Sequence, residues 1–371
     1  MVLYKALTRT KVLSLFLFFT FLLSSYTLTD EEKKISKEPE VKNIILLIGD
    51  GMGMTQVSGA MTISGDKLYM TRSRHIGFIK THSYDDYNTD SAAGGTAISS
   101  GKKTKNGMIG MSPDSNRVQL ITEIARRKKK MSYGVVSTSS VTHATPASFV
   151  AHNINRNDYE GIALDFVRNK PDVFIGGGKD NFTKRRDQRD LVRVLENDGY
   201  QVVFNVDELK EADAERVAGL LADGHLPAFA EHRGNMLPEA TAKAIELLNH
   251  NRRGFFLMVE GSQIDWGGHA NDAQYVFEEM VDFDKAVGVA LQFAATDPNT
   301  LVIVTSDHET GGMIIKGGNL QEKTIEADFG VSGHTGALVP VFAFGPGAGV
   351  FTGVYENTDL FDKMTEVLKL R

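Results

Sequence analysis

The chain of 371 residues contains no cysteine. Disulfides, thiolate metal ligands and a cysteine nucleophile are therefore all excluded. Any metal ion would have to be held by His, Asp, Glu or hydroxyl oxygens, and such ligands suit Zn²⁺ and Mg²⁺. Basic residues are also in deficit, because 41 Lys and Arg face 47 Asp and Glu. A nucleic-acid-binding protein normally presents a basic surface, so the overall charge predicts no nucleic-acid partner.

The N-terminal region lacks an apolar run long enough to cross a bilayer, which needs about 20 residues. Its mostly apolar run, residues 12–23, follows the basic residues Lys5, Arg9 and Lys11. A basic start before a short apolar run is typical of a signal peptide. We therefore predict a signal peptide at residues 1–27, a linker at 28–40, and a periplasmic or secreted protein with no stable membrane span after cleavage. An uncleaved N-terminal anchor is the alternative.

Short apolar runs alternate with helical patterns along the rest of the chain. The runs are Asn43–Ile48, Tyr133–Ser137, Asp172–Ile175, Phe255–Val259, Leu301–Val304 and Val341–Phe344. The helical patterns are Leu120–Lys130, Asp190–Asp198, Pro238–Asn249 and Ala273–Ala295. Short strands that are apolar on both faces belong to parallel sheets covered by helices. We therefore predict one doubly wound α/β domain at residues 41–371, with a mostly parallel central sheet flanked by helices and a surface excursion at 311–333.

A cluster of Lys and Arg at residues 126–130 closes one of the predicted helices. Cations interact favourably with the negative end of the helix dipole. We therefore interpret this cluster as a solvated helix end rather than as a binding patch.

Acidic residues follow three of the predicted strands, at the point where each strand ends. They are Asp50, Glu260 and Asp307, the last of them followed by His308. Ligands in open α/β sheets bind beyond the carboxyl ends of the strands, so these side chains are expected at one edge. Asp265 and His269 come soon after Glu260, at a spacing that can bring both to one metal. Together with His334, which precedes the last strand, they predict a metal site.

A candidate nucleophile lies in the segment Thr89–Ala97, where Ser91 opens a stretch of very small residues that can begin a helix. A helix N-terminus offers unpaired N–H groups and a positive dipole end, which favour a phosphate group and a serine alkoxide. The alternative is that Asp90 or Ser91 simply caps the helix. No G-x-S-x-G motif is present, so an α/β-hydrolase triad is not indicated.

Six motifs stand in a fixed order over residues 43–334. They are Asn43–Gly53, Thr89–Ala92, Thr142–Ala147, Glu260–His269, Thr305–Gly311 and Gly333-His334. As a set they resemble the alkaline phosphatase family, and closely its short bacterial form from cold-adapted marine species. The resemblance implies a metal-dependent phosphomonoesterase that acts through a phosphoserine, holds two Zn²⁺ and one Mg²⁺, and forms a homodimer.

The resemblance also implies a role for each matching residue. Ser91 would be the nucleophile, and Arg156 would clamp two phosphate oxygens with its planar guanidinium. The first zinc would be held by Asp265, His269 and His334. The second zinc would be held by Asp307 and His308, with Asp50 bridging to a magnesium held by Asp50, Glu260 and Thr145. His143 and Trp266 stand beside this centre at two positions where some members of the family have Asp and Lys.

Two alternatives stay open on the sequence alone. One is a phosphodiesterase of the same superfamily, and the other is a secreted metal-binding protein without catalysis. A sulfatase is disfavoured, because its modifiable Cys or Ser stands in a different motif and this chain has no Cys.

Overall fold

Residues 39–370 are described by the computed structural model of the chain, so the predicted signal peptide and the linker up to residue 38 lie outside the described residues. The strands of this part are β1 Asn43–Gly49, β2 His75–Lys80, β3 Ser132–Ser140, β4 Val173–Gly177, β5 Gln201–Val203, β6 Val217–Leu220, β7 Phe255–Gly261, β8 Thr300–Thr305, β9 Glu309–Thr310, β10 Met313–Asn319, β11 Thr324–Phe329, β12 His334–Thr335, β13 Val339–Phe344 and β14 Gly353–Glu356.

Helices separate most of these strands, as the alternating sequence pattern predicts. They are α1 Met54–Ser64, α2 Ser91–Ser100, α3 Ile121–Lys129, α4 Ala144–Ala147, α5 Tyr159–Asn169, α6 Asp180–Thr183, α7 Leu191–Asn197, α8 Val206–Glu211, α9 Met236–Leu248, α10 Gln263–His269, α11 Ala273–Thr296 and α12 Asn357–Val367. None of the helices within residues 39–370 combines the length and the apolar composition needed to cross a bilayer.

Ten strands form one central sheet, in the order β14-β2-β13-β8-β1-β7-β3-β4-β6-β5. Its neighbouring pairs are parallel, except for the pairs that β13 makes with β8 and β2. The prediction of a mostly parallel sheet is therefore confirmed, whereas the predicted strand at 341–344 is not parallel to its neighbours. No helix crosses the sheet between β8 and β13. Strand β13 therefore begins near the carboxyl end of β8 and runs antiparallel to it.

The central strands are buried on both faces. Ile44, Leu46 and Ile48 of β1 pack into one hydrophobic cluster, whereas Ile45 and Leu47 pack into a second. Successive side chains of a strand point to opposite faces, so the two clusters lie on opposite sides of the sheet. Helices α3, α5 and α12 contribute to the first cluster and α1, α9 and α11 to the second. The doubly wound prediction is therefore confirmed.

The predicted excursion at residues 311–333 contains a separate antiparallel hairpin of β10 and β11. Residues of both strands alternate between partly buried and exposed, as expected for a hairpin that packs on one face. The hairpin lies against α1, outside the central sheet.

The position of β1 in the sheet determines where a ligand can bind. It lies between β7 and β8, and the chain continues outward from these two strands in opposite directions across the sheet. Open α/β sheets bind their ligands at such a switch point, beyond the carboxyl ends of the strands. Asp50, Glu260 and Asp307 stand at or just beyond the ends of β1, β7 and β8.

Candidate active site

Three acidic side chains meet beyond the carboxyl ends of β1, β7 and β8. Ile48 of β1 pairs with both Glu260 and Thr305, so Asp50 and Asp307 follow at nearly the same level. All three carboxylates are fully buried. One oxygen of each accepts no hydrogen bond from the described residues, namely Asp50 Oδ1, Glu260 Oε1 and Asp307 Oδ2. Buried carboxylate oxygens without partners are costly, and a bound cation is a common way to compensate them.

Three groups of side chains within residues 39–370 bring their ligand atoms to within 4.8 Å of one another. The groups are Asp265 with His308 and His334, Asp50 with Asp307 and His308, and Asp50 with His143 and Glu260. Because Asp50 and His308 each belong to two groups, the three form one continuous centre. Carboxylate and imidazole donors fit Zn²⁺, and carboxylate oxygens fit Mg²⁺.

His269 and His334 direct their Nε2 atoms towards one point. These two atoms are 3.2 Å apart, and each is 3.4 Å from Asp265 Oδ1. The Nδ1 atoms contact the backbone carbonyls of Ser332 and Thr89, both at 2.7 Å. A carbonyl only accepts, so each Nδ1 carries a proton and each Nε2 is left available as a metal ligand.

His308 lies at the middle of the centre. Its Nε2 is 3.3 Å from Asp50 Oδ1, from Asp307 Oδ2 and from Ser91 Oγ. The hydroxyl of Thr310 lies 3.2 Å from His308 Nδ1 and donates to Asp265 Oδ1 at 2.5 Å. Thr310 therefore links the first group of ligands to the second, a contact that the sequence alone did not indicate.

Close approach of the backbone also explains a glycine of the first motif. Gly51 has φ +77°, and a Cβ there would lie 2.8 Å from both the Thr310 Oγ1 and the Asp265 Cα atoms. A side chain at this position would therefore push apart the two ligand segments.

Ser91 is the first residue of α2, and Asp90 is the N-cap whose Oδ1 accepts from Ala93 N at 2.9 Å. The predicted helix start is therefore confirmed, and the capping role falls to Asp90 rather than to Ser91. The small residues that follow permit close packing, since a Cβ on Gly94 would lie 3.1 Å from Asp307 Cβ. The result is a buried hydroxyl at a helix N-terminus, beside His308.

Arg156 reaches the same place from the loop before α5. Its Nη1 donates to Asp90 Oδ2 at 2.9 Å, and its Nη2 lies 3.4 Å from His143 Nε2. The backbone amide of Gly107 donates to the same Asp90 oxygen at 2.9 Å. The Asp90 carboxylate thus holds the Arg156 guanidinium next to the first residue of α2 and fixes its orientation.

The third group is held by hydroxyl side chains. Glu260 Oε2 accepts from Ser262 Oγ at 2.6 Å and from Ser139 Oγ at 3.2 Å. Thr145 Oγ1 donates to Asp50 Oδ2 at 3.5 Å, so this predicted ligand lies beside the acidic cluster.

The carboxylates of the centre have strongly shifted pKa values. Burial raises the pKa of Asp50 well above its ordinary value, and the nearby Asp307 adds to the rise. Burial also raises the pKa of Glu260 to about 7 and that of Asp307 to about 6. Burial would raise the pKa of Asp265 as well, but hydrogen bonds from His269 and His334 hold it well below its ordinary value. A site crowded with carboxylates holds protons in this way until cations replace them.

Comparison with known proteins agrees with this centre. The family model for alkaline phosphatase matches residues 41–328, which is most of the chain.

The chain belongs to the alkaline phosphatase family.

Individual relatives cover nearly the whole chain. Alkaline phosphatase 4 of Bacillus subtilis is 34% identical, over 91% of this chain and 90% of its own length. The solved structure of the alkaline phosphatase from the Antarctic bacterium TAB5 is 44% identical, covers 90% of this chain and 99% of that chain, and superposes with a TM-score of 0.84. A solved mutant of the TAB5 enzyme with a histidine replaced by aspartate, 43% identical with the same coverage and TM-score, has Mg bound in its M3 site.

The predictions of family, fold class and enzyme class are therefore confirmed. This alkaline phosphatase is a metal-dependent phosphomonoesterase, and its metal-ligand groups at the carboxyl ends of the strands agree with that activity. All twelve residues that the sequence pointed to as site residues lie in or beside the same centre. They are Asp50, Ser91, His143, Thr145, Arg156, Glu260, Asp265, Trp266, His269, Asp307, His308 and His334.

One residue of this alkaline phosphatase site, His225, was missed by the sequence analysis. Its Nδ1 accepts from Ser140 N at 3.0 Å. Its ring stands edge-on to Trp266 at 4.9 Å and to His143 at 5.5 Å, measured between ring centroids. It belongs to none of the six motifs and comes from the loop between β6 and α9, so nothing in the sequence pattern brings it to the site.

Proposed function

We propose that this alkaline phosphatase hydrolyses phosphate monoesters in two displacements, with Ser91 as the nucleophile. The observation that carries the proposal is the Ser91 Oγ atom, at the first position of α2 and 3.3 Å from His308 Nε2. A helix N-terminus attracts the anionic phosphoryl group, and the hydroxyl at that terminus is the nearest nucleophile to it.

We infer that two Zn²⁺ and one Mg²⁺ complete the centre. Asp265, His269 and His334 would hold one zinc, Asp307, His308 and Asp50 the other, and Asp50, Glu260 and Thr145 the magnesium. When bound, these cations lower the pKa of the serine hydroxyl and neutralise the entering and leaving oxygens. The inference is supported by the unpartnered oxygens of Asp50, Glu260 and Asp307, and by the Mg in the TAB5 mutant.

The chain's own residues carry the two displacements. Ser91 Oγ loses its proton and attacks phosphorus, the bond from phosphorus to the ester oxygen breaks, and that oxygen takes up a proton as the alcohol leaves. Water then loses a proton and attacks the same phosphorus, the Ser91 oxygen leaves and takes up a proton, and inorganic phosphate is released. Arg156 binds two phosphoryl oxygens while Asp90 fixes its guanidinium. Two in-line steps give net retention at phosphorus.

The remaining parts of the proposal concern the whole protein. A signal peptide at residues 1–27, a linker at 28–40 and one catalytic domain at 41–371 would give a periplasmic or secreted enzyme. The basic start and the apolar run at 12–23 support secretion. The homodimer rests on family resemblance.

Hydrolysis of p-nitrophenyl phosphate by wild type, Ser91→Ala and Ser99→Ala tests the nucleophile. Ser99 is a matched control, because it is buried on the same helix and its hydroxyl donates to Thr96 O at 3.3 Å. We expect Ser91→Ala to lower kcat/KM by several orders of magnitude, since the covalent path is lost. Ser99→Ala should stay within about three-fold of wild type. Equal losses in both variants would contradict the assignment of Ser91.

Bis-p-nitrophenyl phosphate separates a monoesterase from a diesterase. Arg156 is expected to clamp two phosphoryl oxygens of a dianionic monoester, and a diester carries one negative charge and a second ester group instead. We therefore expect p-nitrophenyl phosphate to be hydrolysed much faster. Faster cleavage of the diester by wild type would favour the phosphodiesterase alternative.

A further inference from the structure

The end of the sheet opposite the active site carries a group of basic side chains, here named the basic pole. Its members are Lys42, Lys129, Lys130, Arg252, Arg253 and Lys369, all exposed except Lys129, which is partly exposed. They come from four separate parts of the chain. Those parts are the residue before β1, the end of α3, the turn before β7, and the residues after α12.

Contacts between these four parts make the basic pole one continuous surface. The side-chain amide of Asn251 donates to the backbone carbonyl of Lys130 at 2.8 Å, which joins the end of α3 to the turn before β7. A Cβ on Gly254 would lie 2.1 Å from the Lys42 carbonyl oxygen, so that turn also lies directly against the start of β1.

Glu40 joins the remaining members. Its carboxylate forms an ion pair with Lys369 at 2.9 Å. A hydrogen bond from Lys369, together with the charges of Lys129 and Lys42, lowers the pKa of Glu40. The exposed Glu40 therefore lies near cations from three of the four parts of the chain.

The basic pole is positively charged, whereas the whole protein has a negative net charge. Acids near it include Glu40, Asp297 and Glu366, whose backbone carbonyl accepts from Lys369 N at 2.9 Å. Five of the six cations form no ion pair with a described carboxylate, whereas the whole chain carries a net charge of −6. Within residues 39–370, Glu40 is the one carboxylate in ion-pair contact with any of the six. Residues 126–129 form the last turn of α3, as predicted, and the fold adds cations from three other parts of the chain beside them.

We propose that the basic pole docks on an anionic phospholipid surface. The described chain begins within the pole, since Glu40 contacts Lys369, so the preceding sequence with its apolar run 12–23 is covalently joined to the domain at this surface. In a chain that retains residues 1–27, the apolar run and the basic pole can both contact one bilayer. Phospholipid headgroups attract Lys and Arg over about a Debye length, so the local excess acts even though the net charge is negative.

This orientation suits the activity. Strand β1 begins at the basic pole and ends at Asp50, and its seven residues span about 20 Å. A protein docked by the pole therefore keeps its active site on the far side, open to monoesters in solution.

Vesicle binding by the full chain tests the proposal. The test variant is Lys42→Gln, Arg252→Gln, Arg253→Gln, which neutralises three exposed cations of the pole. The matched control is Lys67→Gln, Arg189→Gln, Arg193→Gln, which neutralises one Lys and two Arg that are exposed outside the pole. Both variants change the net charge by the same amount and keep the N-terminal segment. Binding is measured by sedimentation with vesicles of phosphatidylcholine alone and with vesicles that also contain phosphatidylglycerol.

We expect wild type and the control to bind vesicles with phosphatidylglycerol more tightly than vesicles of phosphatidylcholine alone, and 0.5 M salt should remove this preference. Each cation is expected to contribute about five-fold in affinity, so the pole variant, which lacks three, should bind the phosphatidylglycerol vesicles roughly 100-fold more weakly than wild type. All three proteins should hydrolyse p-nitrophenyl phosphate equally, and vesicle-bound wild type should keep its kcat/KM. Equal losses in both variants, or no preference for phosphatidylglycerol in wild type, would overturn the proposal. Binding of wild type to duplex DNA but not to these vesicles would reassign the surface to nucleic acid.

Discussion

The two ends of the central sheet belong to the same strands, yet charged side chains are buried at one end and exposed to water at the other. At the carboxyl ends, Asp50, Glu260 and Asp307 are buried and each keeps an unpartnered oxygen. At the amino ends, cations such as Arg252 and Arg253 are exposed to water. A charge in water needs no partner, whereas a buried charge does. The stability and the activity of the carboxyl end should therefore depend on bound cations. The amino end should need no bound cation for either.

The largest contrast is expected between Asp307→Asn and Asp172→Asn, one at each end of the sheet. Asp172 precedes β4, forms an ion pair with Arg126 and accepts from Tyr133 N at 2.8 Å. Asp307→Asn should lower kcat/KM by at least about three orders of magnitude, because it removes a metal ligand. Asp172→Asn should leave kcat/KM within about three-fold but cost about 1–2 kcal/mol of stability in urea unfolding.

The same pair makes a second contrast in the metal-free state. Asp307→Asn removes one of several crowded buried carboxylates, so the metal-free variant should melt at a higher temperature than metal-free wild type. Asp172→Asn should melt lower with or without metal. A metal-free Asp307→Asn protein less stable than wild type would contradict our account of the carboxyl end.

Chelation should give the next largest effect. Metals that bind the folded chain stabilise it by mass action, so EDTA should lower the melting temperature by about 10 °C and abolish activity, and Zn²⁺ with Mg²⁺ should restore both. Zinc removal without any change in melting temperature would contradict this prediction.

The metal-free protein should also lose stability as pH rises from 7 to 9. The pKa of Glu260 is raised by burial to about 7, and that of His269 is raised to about 9 by its hydrogen bond to Asp265. Both groups hold protons more tightly in the folded state. The stabilisation from Glu260 is therefore lost between about pH 4.5 and 7, and that from His269 between about pH 6.5 and 9, so His269 carries the loss above pH 7. Burial lowers the pKa values of His143 and His308, and these oppose the trend below about pH 6.5. Melting curves with EDTA should show the slope, and curves with metals should not.

His143→Asp and Trp266→Lys should have intermediate effects. An added carboxylate at 143 would stand beside Asp50 and Glu260, whose ligand atoms lie within 4.8 Å of that of His143. Mg²⁺ should therefore bind about 10- to 100-fold more tightly, as measured by titration of the metal-free protein. Trp266→Lys should tighten inhibition by inorganic phosphate and lower kcat where phosphate release limits turnover. Unchanged Mg²⁺ affinity and phosphate inhibition would mean that both side chains serve packing alone.

The smallest expected effect is that of His225→Ala. His225 contacts His143 and Trp266 through ring edges, and such contacts are worth about 0.5–1.5 kcal/mol. Mg²⁺ affinity or phosphate inhibition should therefore change by about two- to ten-fold. His250→Ala, an exposed histidine at the other end of the sheet, is the control and should change neither. Equal behaviour of the two variants would remove His225 from the site.

The strands that position the site could be predicted from sequence for a simple physical reason. Strands β1, β7 and β8 are buried on both faces, so each is a continuous apolar run that ends where polar ligands begin. Strand β2 was not predicted, because its residues His75–Lys80 alternate between buried and exposed towards the edge of the sheet. The direction of β13 was also beyond the sequence, since an apolar run looks the same whichever way it pairs.

The site shows the same division. Ser91, Asp265 and His308 stand in contiguous motifs and could be found by spacing and family resemblance. Thr310 and His225 act through contacts that depend on the tertiary structure, such as the hydrogen bond from Ser140 N to His225 Nδ1. His225 lies outside all six motifs, and Thr310, although it lies in the motif Thr305–Gly311, gives no sequence signal of its contact with Asp265.

Trapping of the covalent intermediate tests the central claim most directly. Wild type, Ser91→Ala and Ser99→Ala are mixed with a ³²P-labelled phosphate monoester, quenched in acid, digested and sequenced. Our account predicts label on wild type and on Ser99→Ala, located at Ser91, and none on Ser91→Ala even when its metal content equals that of wild type. Label on Ser91→Ala, or turnover by wild type with no labelled serine under any quench condition, would contradict it.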